Sequence, residues 1–164
     1  MLQKAMDSIA EFHYKHQYPI GRSLEKECLA SSKFASPLLW SIGTILIFLS
    51  KRFLKLAVKW MNKGDTRLYR SHLMVEELGE TILAMAAIDE IAYADGLGDL
   101  TYVVLGSGVT HDIPLSEVFE EISFANLQKE PRNKNADPRL RNKGKNWQKP
   151  DIKGVLDAYH RRKR

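Results

Sequence analysis

The chain has 164 residues, of which 44% are apolar and 27% are charged. This length accommodates one ordinary domain with or without a tail, and the composition is close to the globular average. A second independent enzyme and a globally disordered chain are therefore excluded. The single cysteine, Cys28, cannot form an internal disulfide, so we expect a reducing, cytoplasmic compartment.

Charge is distributed unevenly along the chain. Residues 129–164 contain 13 Lys and Arg against 4 Asp and Glu, a net charge of +9, and residues 1–128 carry −4. A basic end of this kind binds nucleic acid, binds the phosphates of a small ligand, or is a solvated terminus, and the last of these is favoured for residues 161–164. We predict a helical domain over residues 1–128 and an irregular basic tail over residues 129–164 that binds phosphate and wraps or trails.

The first half of the chain predicts two helical regions. Apolar residues recur at helical spacing up to about residue 18, where Pro19 and Gly21 end the pattern; acids at positions 7 and 11 argue against an export signal. Residues 22–36 are polar, and Pro37 opens an apolar segment, residues 37–50. Its 14 residues are too few to span a membrane, which takes about 20, so we interpret it as a buried helix. With residues 51–61 it forms one long helix or two joined near Ser50.

The second half predicts three more helices. Residues 62–65 are a stop signal followed by a cap, and helical spacing then extends over residues 66–87. Asp89 suits the cap of a helix through residue 109, whose four glycines suggest close packing or a bend. Pro114 begins a helix that runs to about residue 128. Since the sequence contains no clean strand pattern, we predict an all-α fold with an antiparallel bundle core.

Five carboxylates form the most informative pattern in the sequence. At 3.6 residues per turn, each of two successive helices presents a carboxylate pair, and the sequence holds no Lys or Arg between Arg70 and Lys129 to neutralise them. Acids held together without bases repel unless a cation binds between them, and hard oxygen ligands suit Mg²⁺ or Mn²⁺. The candidate metal ligands are Glu76, Glu77, Glu80, Asp95 and Asp99.

Such a cluster is suited to phosphoanhydride hydrolysis, because bound metals activate a water and neutralise developing phosphate charge. The sequence contains no P-loop, and no Ser, His and Asp order suggests a nucleophilic triad.

Residues 75–80 (VEELGE) and 91–104 (IAYADGLGDLTYVV) carry a resemblance to a known group of enzymes. They resemble the all-α nucleoside triphosphate pyrophosphohydrolases, the superfamily of MazG, dimeric dUTPases and phosphoribosyl-ATP pyrophosphohydrolase. A Ser-Asn-x-x-Lys-like segment of the phage and bacterial MazG-like branch is matched at residues 123–129, and later Gly-Lys and Pro-Asp pairs are matched at residues 144–145 and 150–151. The likeness covers about residues 66–152.

The resemblance implies a Mg²⁺-dependent hydrolase that converts (d)NTP, with dGTP or GTP in phage nucleotide-pool control as a candidate, to monophosphate and pyrophosphate. It assigns catalysis to Glu77 and Asp95, with Asp95 as a further metal ligand or as the base that orients water. It also implies a homo-oligomer, a dimer or tetramer, because bundles of this superfamily build their sites between protomers. Substrate contacts are assigned to Asn126, Lys129, Lys145 and Tyr102.

The sequence departs from the superfamily pattern at one position of the second acidic motif. The pattern is ExxD, but Gly96 stands three residues before Asp99, and Asp95 lies one position further back. The main ligand of this helix is therefore either Asp95 or Asp99.

Two alternatives of another class stay open. One is a non-catalytic nucleic-acid-binding protein that uses the basic tail. The other is a peripheral membrane protein that uses residues 37–61 as an amphipathic anchor, without stable membrane insertion. Neither alternative requires a divalent metal, and both leave triphosphates intact.

Overall fold

The computed structural model describes residues 2–21, 23–130 and 143–164, without the side chains of residues 25–34. Throughout the described part the regular structure is helical, which confirms the predicted all-α class. Residues 131–142, the centre of the basic tail, lie outside the described residues. The six helices are α1 (Leu2–Lys15), α2 (Leu24–Met61), α3 (Arg67–Ala87), α4 (Glu90–Thr110), α5 (Leu115–Leu127) and α6 (Ile152–Lys163).

Local capping explains why α3 and α4 begin where the sequence predicts. The Asp65 carboxylate accepts a hydrogen bond from the Arg67 backbone N–H at 3.1 Å, and the Asp89 carboxylate accepts one from the Ala92 N–H at 3.0 Å. Each carboxylate satisfies an amide that has no partner within its helix. The predicted boundaries of α1, α3, α4 and α5 are confirmed to within a few residues.

The α2 helix is longer than predicted. It begins at Leu24, so most of the polar stretch before Pro37 is helical, and Pro37 lies inside the helix. A proline in a helix interior costs about 3 kcal/mol, because its amide donates no hydrogen bond. The apolar segment that follows packs along α3, and this tertiary contact stabilises the helix beyond what local propensity supplies.

The end of the basic tail was predicted to be irregular, and this was wrong for residues 152–163, which form α6. The Asp151 carboxylate caps this helix by accepting from the Gly154 N–H at 2.9 Å. Basic residues fill the last turn, where they interact favourably with the helix dipole. The arginine run at the terminus therefore belongs to a helix end rather than to a trailing segment.

The chain divides into two compact units. Arg22–Asp112, which holds α2, α3 and α4, is called the central unit here; Met1–Gly21 with Ile113–Arg164, which holds α1, α5 and α6, is called the terminal unit. The functional boundary predicted at residue 128 stays a prediction.

Glycines allow the helices of the central unit to approach closely. A Cβ placed on Gly43 of α2 would lie 2.7 Å from Leu83 Cγ, and one on Gly79 of α3 would lie 2.8 Å from Ile47 Cγ1. Both distances are well below van der Waals contact, so α2 and α3 pack at a separation that larger residues would not permit. The buried apolar residues among those described are correspondingly small, chiefly alanines.

The apolar segment, residues 37–50, is buried on one side only. Gly43 and Ser50 are buried on the side of α2 that faces α3, whereas Leu38 and Phe48 are 62% and 61% exposed. The prediction of a buried helix was therefore wrong for its outer side. Among the described residues no helix is both long and apolar enough to cross a membrane.

Polar contacts fasten the termini within the terminal unit. The buried His16 ring, at the end of α1, lies 2.8 Å from the Phe12 carbonyl oxygen and 3.2 Å from that of Glu130, just beyond α5. The Trp147 indole N–H donates to the Ala125 carbonyl at 2.9 Å, so the segment before α6 is held against α5.

Candidate active site

The five predicted carboxylates all lie on α3 and α4, which pack against each other in the central unit. Gly96 explains the departure from the ExxD pattern: a Cβ here would lie 2.7 Å from Thr81 Oγ1 and 3.1 Å from Thr81 Cα. A glutamate at position 96 would therefore force α3 and α4 apart. The acids of α4 stand beside this point of close approach, at Asp95 and Asp99.

The acids of the two helices act electrostatically on one of them, Glu77. Partial burial raises the pKa of Glu77, and the carboxylates of Glu80, Asp99, Glu76 and Asp95, in that order, raise it further. Glu77 is thus the residue on which all four other predicted ligands act. Its own backbone is held within α3, where its carbonyl accepts the Thr81 hydroxyl at 2.7 Å.

The chemistry of the cluster fits a divalent cation. Five carboxylates supply hard oxygen ligands. Burial and then repulsion from the other acids raise the pKa of Glu77, and a bound cation would relieve that repulsion. Within the described ranges, no three His, Cys, Asp or Glu side chains converge as a ready metal site.

Sequence reasoning missed two polar residues of α3, of which His72 contacts an acid of the cluster. Arg70 lies two turns before Glu77; its Nε donates to Ser107 Oγ at 3.0 Å, and its Nη2 donates to the Val103 carbonyl. His72 lies one turn before Glu76, with Nε2 3.4 Å from Glu76 Oε2. The spacing from His72 to Glu76 is visible in the sequence, and a search for i, i+4 partners of the acids would have found it.

The predicted substrate-binding residues divide between the two units. Tyr102 lies on α4 and is 79% exposed. Asn126 and Lys129 lie at the end of α5 and are brought together, because the Lys129 ammonium donates to Asn126 Oδ1 at 2.6 Å. Lys145 is exposed in the segment before α6, where it lines a concavity of about 620 Å³ with Gln128, Glu130, Lys143 and Trp147.

Asn126 also lines a smaller cavity within the terminal unit. Its volume is about 200 Å³, and α1 and α5 supply its walls. Ser123, the first residue of the predicted Ser-Asn-x-x-Lys-like segment, lies in the same wall as Asn126. Two residues of that segment therefore share one cavity.

A family comparison bears on this arrangement of acids. Residues 56–126, which are 71 of the 164, match the family PRA-PH, described as Phosphoribosyl-ATP pyrophosphohydrolase. The predicted resemblance to the all-α nucleoside triphosphate pyrophosphohydrolases is thereby confirmed. No curated protein and no solved structure matches the chain.

The match supports a pyrophosphohydrolase, an enzyme that hydrolyses a phosphoanhydride, and this family generally depends on a divalent metal. The matched region contains all five acids of the cluster as well as Asn126, but neither Lys129 nor Lys145.

The raised pKa of Glu77 predicts that this residue opposes folding in metal-free protein. Because the folded-state pKa lies above the unfolded one, the free energy of unfolding falls as pH rises through this interval, and the cost is present at pH 7. We expect Glu77→Gln to raise the Tm in EDTA at pH 7 and to lose this advantage below about pH 4, where the unfolded carboxylate also binds its proton. Differential scanning fluorimetry measures this.

The control is Glu11→Gln, which removes the same charge from an exposed position of α1. An unchanged or lower Tm for Glu77→Gln at pH 7, relative to both wild type and this control, would contradict the prediction.

Proposed function

We propose that the protein is a Mg²⁺-dependent nucleotide pyrophosphohydrolase that cleaves a (d)NTP to the (d)NMP and pyrophosphate. The observation that carries this proposal is the set of four carboxylates, drawn from two helices, that act on Glu77 inside the matched region. Acids that raise the pKa of a neighbouring acid are costly to keep, so their action on Glu77 supports a bound cation. Mn²⁺ is the alternative metal.

Each acid has a proposed role. Glu76, Glu77, Glu80 and Asp99 hold the metal, and Asp95 is either a further ligand or the base that orients the attacking water. The bound cation would lower the pKa of that water and neutralise charge on the pyrophosphate that leaves. Hydrolysis consumes one water for each anhydride bond broken, and a carboxylate takes up the proton that this water releases.

The proposed substrate contacts come from residues beyond the acids. Lys129 and Lys145 bind phosphates as point charges, and Asn126 donates a hydrogen bond to sugar or phosphate. The hydrogen bond between Lys129 and Asn126 supports this pairing, because it holds the two side chains together. Tyr102, which is largely exposed, offers an aromatic face and a hydroxyl group.

The identity of the preferred base depends on finer structural details than the class of reaction does. A single hydrogen bond to a base edge is enough to discriminate among nucleotides. We keep dGTP or GTP in phage nucleotide-pool control as the candidate, and the family description adds phosphoribosyl-ATP as a substrate to compare.

Turnover tests the proposed reaction. We expect pyrophosphate release from at least one of the common NTPs, dNTPs or phosphoribosyl-ATP in Mg²⁺, and none in EDTA. Asp99→Asn and Glu77→Gln should lower kcat by at least about 100-fold while circular dichroism stays helical, since each removes anionic charge that holds the metal. The control Glu11→Gln should retain full kcat.

Full turnover in EDTA or in both carboxylate variants would refute the proposal. Intact triphosphates under every condition would favour the nucleic-acid-binding or membrane-surface alternative.

A matched pair of lysines tests phosphate binding by the segment before α6. Lys145 and Lys149 are both exposed, and only Lys145 lines the 620 Å³ concavity. Loss of a charge-assisted contact costs about 1.5–3 kcal/mol, so Lys145→Ala should lower kcat/KM by roughly 10- to 150-fold. Lys149→Ala should leave kcat/KM nearly unchanged. Equal effects of the two substitutions in steady-state assays would contradict the role of Lys145.

We also propose a homo-oligomer, with a dimer as the minimum and a tetramer as the alternative. Large apolar side chains recur along the outer side of α2 at steps of three or four residues, and all of them are exposed. Monomers rarely expose an apolar stripe of this extent. Its residues are Leu38, Ile42, Ile45, Leu49, Phe53, Leu56 and Trp60.

Light scattering of the full chain at micromolar concentration tests assembly. We expect a dimer or tetramer, and we expect Ile45→Glu to shift it toward the monomer, because a buried unpaired charge is costly. Thr44→Glu, exposed about 100° around the helix, is the control and should leave the mass unchanged. A monomeric wild type would refute the assembly.

A further inference from the structure

A series of polar side-chain contacts, buried at one end, connects α2 to the acid cluster. Ser50 Oγ of α2 lies 2.6 Å from His72 Nδ1 of α3, and the two residues are 3% and 6% exposed. The other ring nitrogen, Nε2, lies 3.4 Å from Glu76 Oε2. A serine of α2 is therefore arranged in series with a histidine and a carboxylate that lie one turn apart on α3.

This series has the composition of a nucleophilic triad, but its burial excludes that role. A nucleophilic serine must reach the substrate, and Ser50 is enclosed between α2 and α3. The accessible end is the other one, since the Glu76 side chain is 25% exposed. Glu76 is therefore the member of the series that a ligand can reach, and Ser50 and His72 support it from the interior.

The Ser50 hydroxyl can donate to His72 Nδ1 or accept a proton from it, and the donating arrangement leaves the ring proton on the side of Glu76. When the hydroxyl donates to Nδ1, the neutral ring carries its proton on Nε2. A doubly protonated ring also carries a proton there. Both forms place an N–H group 3.4 Å from Glu76 Oε2, which is an ion-pair contact.

We propose that His72 is a positioning residue that holds Glu76 Oε2 and so presents the other carboxylate oxygen to the cation. This inference rests on the proposed function. A glutamate side chain loses rotamer freedom when it becomes a ligand, and an anchored carboxylate has already lost part of it. Outer partners of this kind are worth about 10- to 100-fold in metal affinity.

Mn²⁺ affinity of the full chain, measured by EPR titration, tests the proposal without relying on turnover. His72→Phe keeps an aromatic ring but has no N–H group, and should weaken Mn²⁺ binding by about 10- to 100-fold. His72→Gln places an amide N–H group toward Glu76 and should bind Mn²⁺ more tightly than His72→Phe. Ser50→Ala keeps the ring and should cause a smaller loss than His72→Phe.

The matched control is Leu83→Ala. Leu83 packs against Gly43 in the same α2–α3 interface, so its truncation lowers stability without touching an acid. It should leave Mn²⁺ affinity unchanged. An equal loss of affinity in Leu83→Ala and His72→Phe would assign His72 a purely structural role and overturn the proposal.

NMR of ¹⁵N-labelled histidine in metal-free protein gives a second measurement that needs no folded His72→Phe variant. We expect a proton on Nε2 of His72, and Glu76→Gln should shift the Nε2 resonance. A proton on Nδ1 with Nε2 bare would overturn the proposal.

The outcomes separate the two levels of inference. A wild-type protein that binds no Mn²⁺ contradicts the proposed function and this inference with it. Mn²⁺ binding that is unchanged in His72→Phe overturns only the role of His72.

Discussion

The contact between Gly96 and Thr81 sets the separation of α3 and α4, and the acid cluster depends on that separation. Position 96 favours glycine, because a Cβ there would lie 3.1 Å from the Thr81 Cα of the neighbouring helix. The close approach is what lets Asp95 and Asp99 act on Glu77 across the helix interface. A wider crossing would let water screen the acids from one another.

The central unit therefore combines tight packing with unfavourable charge. Small residues at the helix contacts supply the packing. Partial burial, together with repulsion from the other acids, raises the pKa of Glu77. Sites that carry out chemistry commonly hold such perturbed groups at the expense of stability. The Arg70 guanidinium binds Ser107 and the Val103 carbonyl of α4 rather than one of the five acids.

The terminal unit uses part of its basic charge for structure. The Arg162 guanidinium makes two hydrogen bonds to the Glu117 carboxylate, at 2.7 and 2.8 Å, and so connects α6 to α5. Lys143 lies over the Trp147 ring at 4.1 Å. These contacts reduce the charge available for polyanion binding, which makes a general nucleic-acid tail a weaker interpretation than net charge alone suggests.

Periodicity and caps in the sequence were sufficient to predict the helical class and the limits of α3, α4 and α5, because these depend on neighbours a few residues apart. The role of the five acids stays a prediction. The full extent of α2, the helix at residues 152–163 and the exposed outer side of residues 37–50 depended on packing partners. The Ser50–His72 contact joins residues 22 positions apart on different helices. Only the tertiary structure decided this contact. Helical spacing shows which side chains share a face of one helix, but it does not show which face of another helix they contact.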